Sequence, residues 1–118
     1  MDEIKKSKLD VLFFMTTAGS EPVREWLKNL TKDEKKIIGT DIKTVQLGWP
    51  IGMPVVKHIG EGIWEIRSTL SSKIARILFF THGKAIILVN GFIKKTQKIP
   101  KDEIELAKKR MKQFIDSI

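Results

Sequence analysis

Between Gly60 and Thr96 the chain reads GEGIWEIRSTLSSKIARILFFTHGKAIILVNGFIKKT. Three runs rich in Ile, Leu, Val, Phe and Trp alternate with short polar, glycine-containing breaks, which is the pattern of an antiparallel meander. In the first run, period two sends Trp64 and Ile66 to one side and Ile63, Glu65 and Arg67 to the other. The third run, Ala85 to Ile93, is nearly all apolar and predicts a central strand buried on both faces. Gly91 inside it predicts a bulge or a close backbone approach. The runs also carry cations. Arg67 closes the first, Arg76 lies within the second, and Lys94 and Lys95 follow the third. A sheet folded back on itself gathers all four, and the function is expected there.

Upstream, Lys8 to Met15 (KLDVLFFM) predicts a first strand. Ser20-Glu21-Pro22 is a helix start, with Ser20 as N-cap and Pro22 in the first turn, where a missing N–H costs nothing. Val23, Trp26, Leu27 and Leu30 then recur at helical spacing and form one apolar stripe, which suits core packing and, for Trp26 and Leu30, also a partner's surface. Thr31 with Glu34 three residues on has the form of a capping box and opens a second helix. Ile37, Ile38, Ile42, Val45 and Leu47 face inward there, while Lys32, Lys35, Lys36 and Lys43 face water. The two helices are expected to pair as a hairpin. Gly48-Trp49-Pro50 ends the second one, and the linker to Gly60 holds a short strand at Val55 to Ile59.

Pro100 opens a last helix, with Asp102 and Glu103 in its first turn and Ile104, Ala107, Met111 and Phe114 on its apolar face. Lys108, Lys109, Arg110 and Lys112 fall toward its C-terminal half, where the macrodipole favours cations. The order strand, two helices, three strands, helix predicts an α+β fold. It is a small twisted antiparallel sheet with an N-terminal helical hairpin and a C-terminal helix, the helices packed on one face.

A chain of 118 residues is expected to form one domain spanning 1–118. Twenty-two Lys and Arg against 14 Asp and Glu leave a net charge of +8, a field that concentrates polyanions, so nucleic acid is the leading partner class. A merely solvated, lysine-rich surface carries the same charge. The absence of cysteine excludes thiolate chemistry and fits a reducing compartment. No apolar stretch approaches the roughly 20 residues of a membrane span. The opening MDEIKKSKLD has no apolar signal core, so a cytoplasmic protein without a membrane partner is expected.

The two histidines, His58 and His82, are not spaced as a metal site, and no glycine loop cradles a phosphate. Glu61 and Glu65 resemble a carboxylate pair only in spacing, and solvated surface is the plainer account of both. Lys57, His58, Arg67, Arg76, Lys94, Lys95 and Lys98 suit a different chemistry. Cleavage of an RNA phosphodiester takes its nucleophile, the 2′-OH, from the substrate. The protein must align it, neutralise the phosphorane and protonate the leaving oxygen, and placed cations do much of this without metal or cofactor. Arginine grips phosphate bidentately, and lysine acts as a point charge or proton donor. Each residue also has a structural account. Arg76 can pair with Glu65 across the sheet, Lys94 and Lys95 can be a solvated strand end, and His58 can be a passive loop residue rather than a proton carrier.

Val56-Lys57-His58-Ile59-Gly60-Glu61-Gly62-Ile63-Trp64-Glu65-Ile66-Arg67, then Ala75-Arg76-Ile77-Leu78-Phe79-Phe80, Gly91-Phe92-Ile93-Lys94-Lys95-Thr96-Gln97-Lys98-Ile99-Pro100 and Glu103-Ile104-Glu105-Leu106-Ala107-Lys108-Lys109-Arg110 resemble the phage-derived, HigB-like branch of the RelE/ParE toxin superfamily. The resemblance covers more than half the chain, and the FxKKTxKxP segment is its most specific part. It implies a RelE-like fold and a type II toxin: a ribosome-dependent endoribonuclease, or mRNA interferase, that inhibits translation. It also implies a helix-turn-helix antitoxin as partner, with operator DNA reached through the toxin–antitoxin complex. By matched position, Arg67 and Arg76 would hold the scissile phosphate, and Lys94 and Lys95 would contact phosphate or transfer protons. Lys57 would contribute from the preceding loop. The chain departs from the pattern at Asn90, where many relatives have His, and in lacking tyrosine, which leaves Trp64 or Phe92 as the stacking surface. His58 and Lys98 complete the expected RNA contacts. A ParE-like inhibitor that binds a protein such as DNA gyrase is the alternative, and it does not require the four cations to converge.

Overall fold

The computed structural model describes residues 9–52, 54–94 and 98–118, with Lys94 described in its backbone. In chain order the elements are β1 (Asp10–Phe13), α1 (Pro22–Lys28), α2 (Lys32–Gly48), β2 (Val56–Gly60), β3 (Ile63–Thr69), β4 (Ile74–His82), β5 (Ala85–Lys94) and α3 (Lys101–Asp116). The fold is α+β, with the meander β2 to β5 antiparallel throughout. The sheet as a whole is mixed rather than antiparallel. Its order is β1-β5-β4-β3-β2, and β1 lies parallel to β5 with Asp10 opposite Ala85 and Phe13 opposite Leu88. This correction follows from the apolar run in β5, whose outer edge requires a neighbour. The helical connection returns the chain to that edge in the parallel sense.

The helices occupy both faces, again contrary to expectation. The cause lies in β4 and β5, which are apolar on alternate residues of both pleats. Ile77, Phe79, Ile86 and Leu88 join a core with Val23 of α1 and Ile38 and Val45 of α2. Leu78, Phe80, Ile87 and Val89 join a second core with Ala107, Ile104, Met111 and Phe114 of α3. A sheet with two apolar faces must be covered twice. The expected hairpin is also loosened, because α1 packs on β5 and β1 while α2 packs on β3. Ile37 and Leu47, expected inside, are exposed. Among the described residues no helix is long and apolar enough to cross a membrane.

Local signals decide the element ends. Thr31 and Glu34 form the capping box: the Glu34 N–H donates to Thr31 Oγ1 at 3.1 Å, and the Thr31 N–H donates to Glu34 Oε1 at 3.0 Å. Ser20 does not cap α1. Glu21 occupies that position without a side-chain capping bond, and the Ser20 and Thr16 hydroxyls share a 2.9 Å bond instead. Gly91 is present because Trp26 of α1 lies flat against it: a Cβ there would stand 2.5 Å from the indole ring. That contact packs Trp26 into the core. The β4–β5 register also slips just before this point, pairing Leu78 with Asn90 and Phe79 with Leu88, so that Val89 bulges.

Gly91→Ala is expected to destabilise by about 1–3 kcal/mol through overpacking, and Trp26→Leu in the same chain should recover part of that loss in urea titrations. Thr31→Ala is expected to cost about 1 kcal/mol. The Thr31 backbone bond, helped by Lys73 at 3.1 Å, holds the Glu34 carboxyl below its ordinary value of 4.5. A lowered folded value gives stability that is present above pH 4.5 and lost as pH falls below it. Glu34→Gln should flatten the stability profile in that acid range.

Candidate functional site

The pleat of the meander sorts its polar residues. On β3, Glu65 and Arg67 point to the α3 face, and the antiparallel register sets Arg67 directly opposite Arg76 and Glu65 opposite Leu78. Across the next pair, Leu78 faces Asn90 and Arg76 faces Phe92. On the outer side Lys57 of β2 faces Glu65. Two rows result, one reading Lys57, Glu65, Leu78, Asn90 and the next Arg67, Arg76, Phe92. Lys94 ends β5 two positions beyond Phe92, opposite Ile74.

Helix α3 packs on this face. Phe114, near its C-terminal end, stacks edge-on against Phe80 and His82 at 5.5 and 5.9 Å. In its first turn Glu103 receives two bonds from the Asn90 amide, 3.1 Å to its carbonyl and 2.9 Å to its carboxylate. Arg110 donates to the carbonyl of the bulged Val89 at 2.8 Å, and burial pushes its guanidinium below the usual value while Glu103 opposes the shift. The helix is thereby tied to the bulge, and the Arg67–Arg76–Phe92 row is the next on this face.

Two guanidinium groups directly opposite each other on one face repel. Glu65 resolves this. Its Oε2 accepts from Arg76 Nη1 at 2.6 Å, and its Oε1 stands 3.7 Å from Arg67 Nε. Glu65 and Arg76 are both 0% exposed, whereas the Arg67 side chain keeps 17% of its surface. A charge that deep is tolerated only when it is paired and hydrogen-bonded. The triad holds two cations and one anion, so one positive charge is left over, and Arg67 is the member within reach of solvent.

Each expected site residue can now be placed. Arg67, Arg76 and Phe92 share a row, with Lys57 exposed on the same face and Lys94 at the matching register position. Lys98 is exposed in the segment entering α3, and Lys95 lies outside the described residues. Arg76 is not free to grip a phosphate as expected, since it is buried against Glu65. His58 and Trp64 stand opposite each other on the other face, their rings 4.3 Å apart, and Trp64 meets Trp49 edge-on at 4.9 Å. They do not join the arginines. Glu65 proves to be a buried carboxylate rather than a surface one, while Glu61 pairs with Lys108 at the β2–β3 turn. Among the described residues no group of His, Cys, Asp or Glu is placed to hold a metal. Asn90, in sequence only a departure from the family pattern, and Arg110, only one of the cations of the last helix, are the ties to α3.

A basic site on a five-stranded α+β sheet is the setting for the family match. Residues 25–112 match the phage-derived Gp49-like proteins (DUF891), a RelE/HigB-like toxin family, and the chain belongs to that family. No curated protein matches the chain. The matched span contains every triad member and the first three turns of α3.

Removal of Arg76 leaves a buried carboxylate without its closest partner, so Arg76→Ala is expected to cost about 3–5 kcal/mol. Arg67→Ala should cost at most about 1 kcal/mol, the scale of one net hydrogen bond. Urea denaturation distinguishes them, and equal losses would contradict the division between a buried anchor and an outward cation.

Proposed function

We propose that this protein is the toxin of a type II toxin–antitoxin pair and that it cuts mRNA at the ribosome as an endoribonuclease. The observation that carries this is the surplus positive charge of the Glu65 triad, carried by Arg67, the one member of the three that keeps solvent exposure. In the proposed reaction the 2′-OH of the RNA attacks the adjacent phosphorus. The bond to the 5′-oxygen breaks, and a 2′,3′-cyclic phosphate and a free 5′-hydroxyl form. Negative charge accumulates on the non-bridging oxygens, and a cation held in a water-poor site stabilises that charge more than it stabilises the ground state.

Arg67 takes the phosphate in this scheme, and Lys94 and Lys95 serve as further cations or as the proton donor to the leaving oxygen. Arg76 serves through Glu65 rather than by contact. Phe92 offers the base-stacking surface in the same row, and Lys57 and Lys98 track the flanking phosphates. His58 and Trp64 have no part in the chemistry from the opposite face. The antitoxin is a helix-turn-helix protein that brings the complex to operator DNA.

Primer extension on mRNA with purified ribosomes tests this. Wild type is expected to give discrete stops. Arg67→Ala should slow their appearance by about 10²–10³-fold, the effect of removing one transition-state donor, at nearly unchanged thermal stability; Lys94→Ala should also slow them. Wild type that leaves mRNA intact while blocking gyrase supercoiling would replace the nucleolytic account with the protein-inhibitor one.

A further inference from the structure

We infer that Glu65 is a positioning residue that aims Arg67, in addition to neutralising Arg76. The inference rests on the nucleolytic function proposed above and assigns a second duty to a residue that does not touch RNA.

The two carboxylate oxygens of Glu65 are used unequally. Oε2 is committed to Arg76 at 2.6 Å. Oε1 is buried and accepts no hydrogen bond from the described residues, and Arg67 Nε is likewise buried and donates none. These two atoms face each other at 3.7 Å, inside ion-pair range and about 0.8 Å beyond an ordinary N–H···O bond. An unused donor and an unused acceptor that face each other at this range are both satisfied when they approach. Arg67 can do this without disturbing Arg76, because the oxygens are separate.

Geometry then dictates what Arg67 has left to offer. Guanidinium is a rigid planar fork with five N–H donors. With Nε turned to the buried Oε1, the Nη edge remains for a ligand, and that edge binds two phosphate oxygens side by side. Arg76 opposite prevents the carboxylate from rotating away, since rotation would break the 2.6 Å bond. Glu65 is therefore held by one arginine and holds the other. A contact loose in the free protein and closed on loading lets Arg67 keep its direction as charge builds on the phosphate.

The test uses the conservative variant Glu65→Asp, which retains the charge beside Arg76 but withdraws the carboxylate by one methylene. Single-turnover cleavage on ribosomes should fall at least about 10-fold in Glu65→Asp and by less than about 2-fold when the same change is made in an Arg67→Ala chain, the non-additivity of residues acting as a unit. Equal fold losses in both backgrounds would overturn the inference, because a merely structural carboxylate acts regardless of Arg67. A second measurement needs neither a variant nor cleavage. In wild type, the Arg67 Nε–H resonance should exchange with water more slowly than that of free arginine. Exchange as fast as in free arginine would overturn the aiming role even if cleavage is seen. Protected exchange without cleavage would keep the aiming geometry and reject the nuclease.

Discussion

The buried pair of Glu65 and Arg76 is the constraint on which the rest of the site depends. Register alone sets Arg67 and Arg76 side by side across β3 and β4, an arrangement that repels unless an anion lies between them. Glu65, two residues before Arg67 on the same pleat, is that anion. Replacing such a pair with apolar residues is often neutral or stabilising, so stability alone is a poor reason to keep it. Its value here is positional: it fixes one guanidinium inside the sheet and leaves the second charged, partly exposed and close to a direction. Arg76 supports the site without being able to reach a ligand.

Helix α3 packs on the face from which that charge emerges. The apolar residues of β4 and β5 demand cover on both faces, and α3 supplies it along Phe80, Ile87 and Val89. Asn90 and the bulged Val89 carbonyl tie it to β5 through Glu103 and Arg110. The bulge thus has two effects: it gives up a ladder pairing and presents a carbonyl to the helix. Gly91, beside it, lets Trp26 close the opposite face at the same level.

Much of this was legible in the chain. Alternation over Ile63 to Arg67 separated Trp64 from Arg67 correctly, the Thr31–Glu34 spacing marked a true capping box, and Gly91 signalled the close approach that Trp26 makes. These are local signals of period, cap and turn. What stayed hidden depends on residues far apart. The parallel pairing of Asp10–Phe13 with β5 spans more than seventy residues, and nothing within KLDVLFFM encodes its partner. Arg76 shows the same limit at the site: a cation inside an apolar strand reads equally as ligand or as buried partner until the depth of Glu65 is known. The lack of tyrosine left Trp64 or Phe92 as the stacking surface, and the register puts only Phe92 in the row of the arginines.

The central claim is that one guanidinium, Arg67, takes the scissile phosphate while Arg76 stays with Glu65. A crystal structure of the protein with an RNA carrying a 2′-deoxy substitution at the cleavage position tests it directly. The account predicts phosphate oxygens within about 3 Å of the Arg67 Nη atoms, Phe92 against a base, and the Arg76–Glu65 bond intact. RNA seated on the α1–α2 face, or Arg76 released from Glu65 to bind the phosphate, would contradict it.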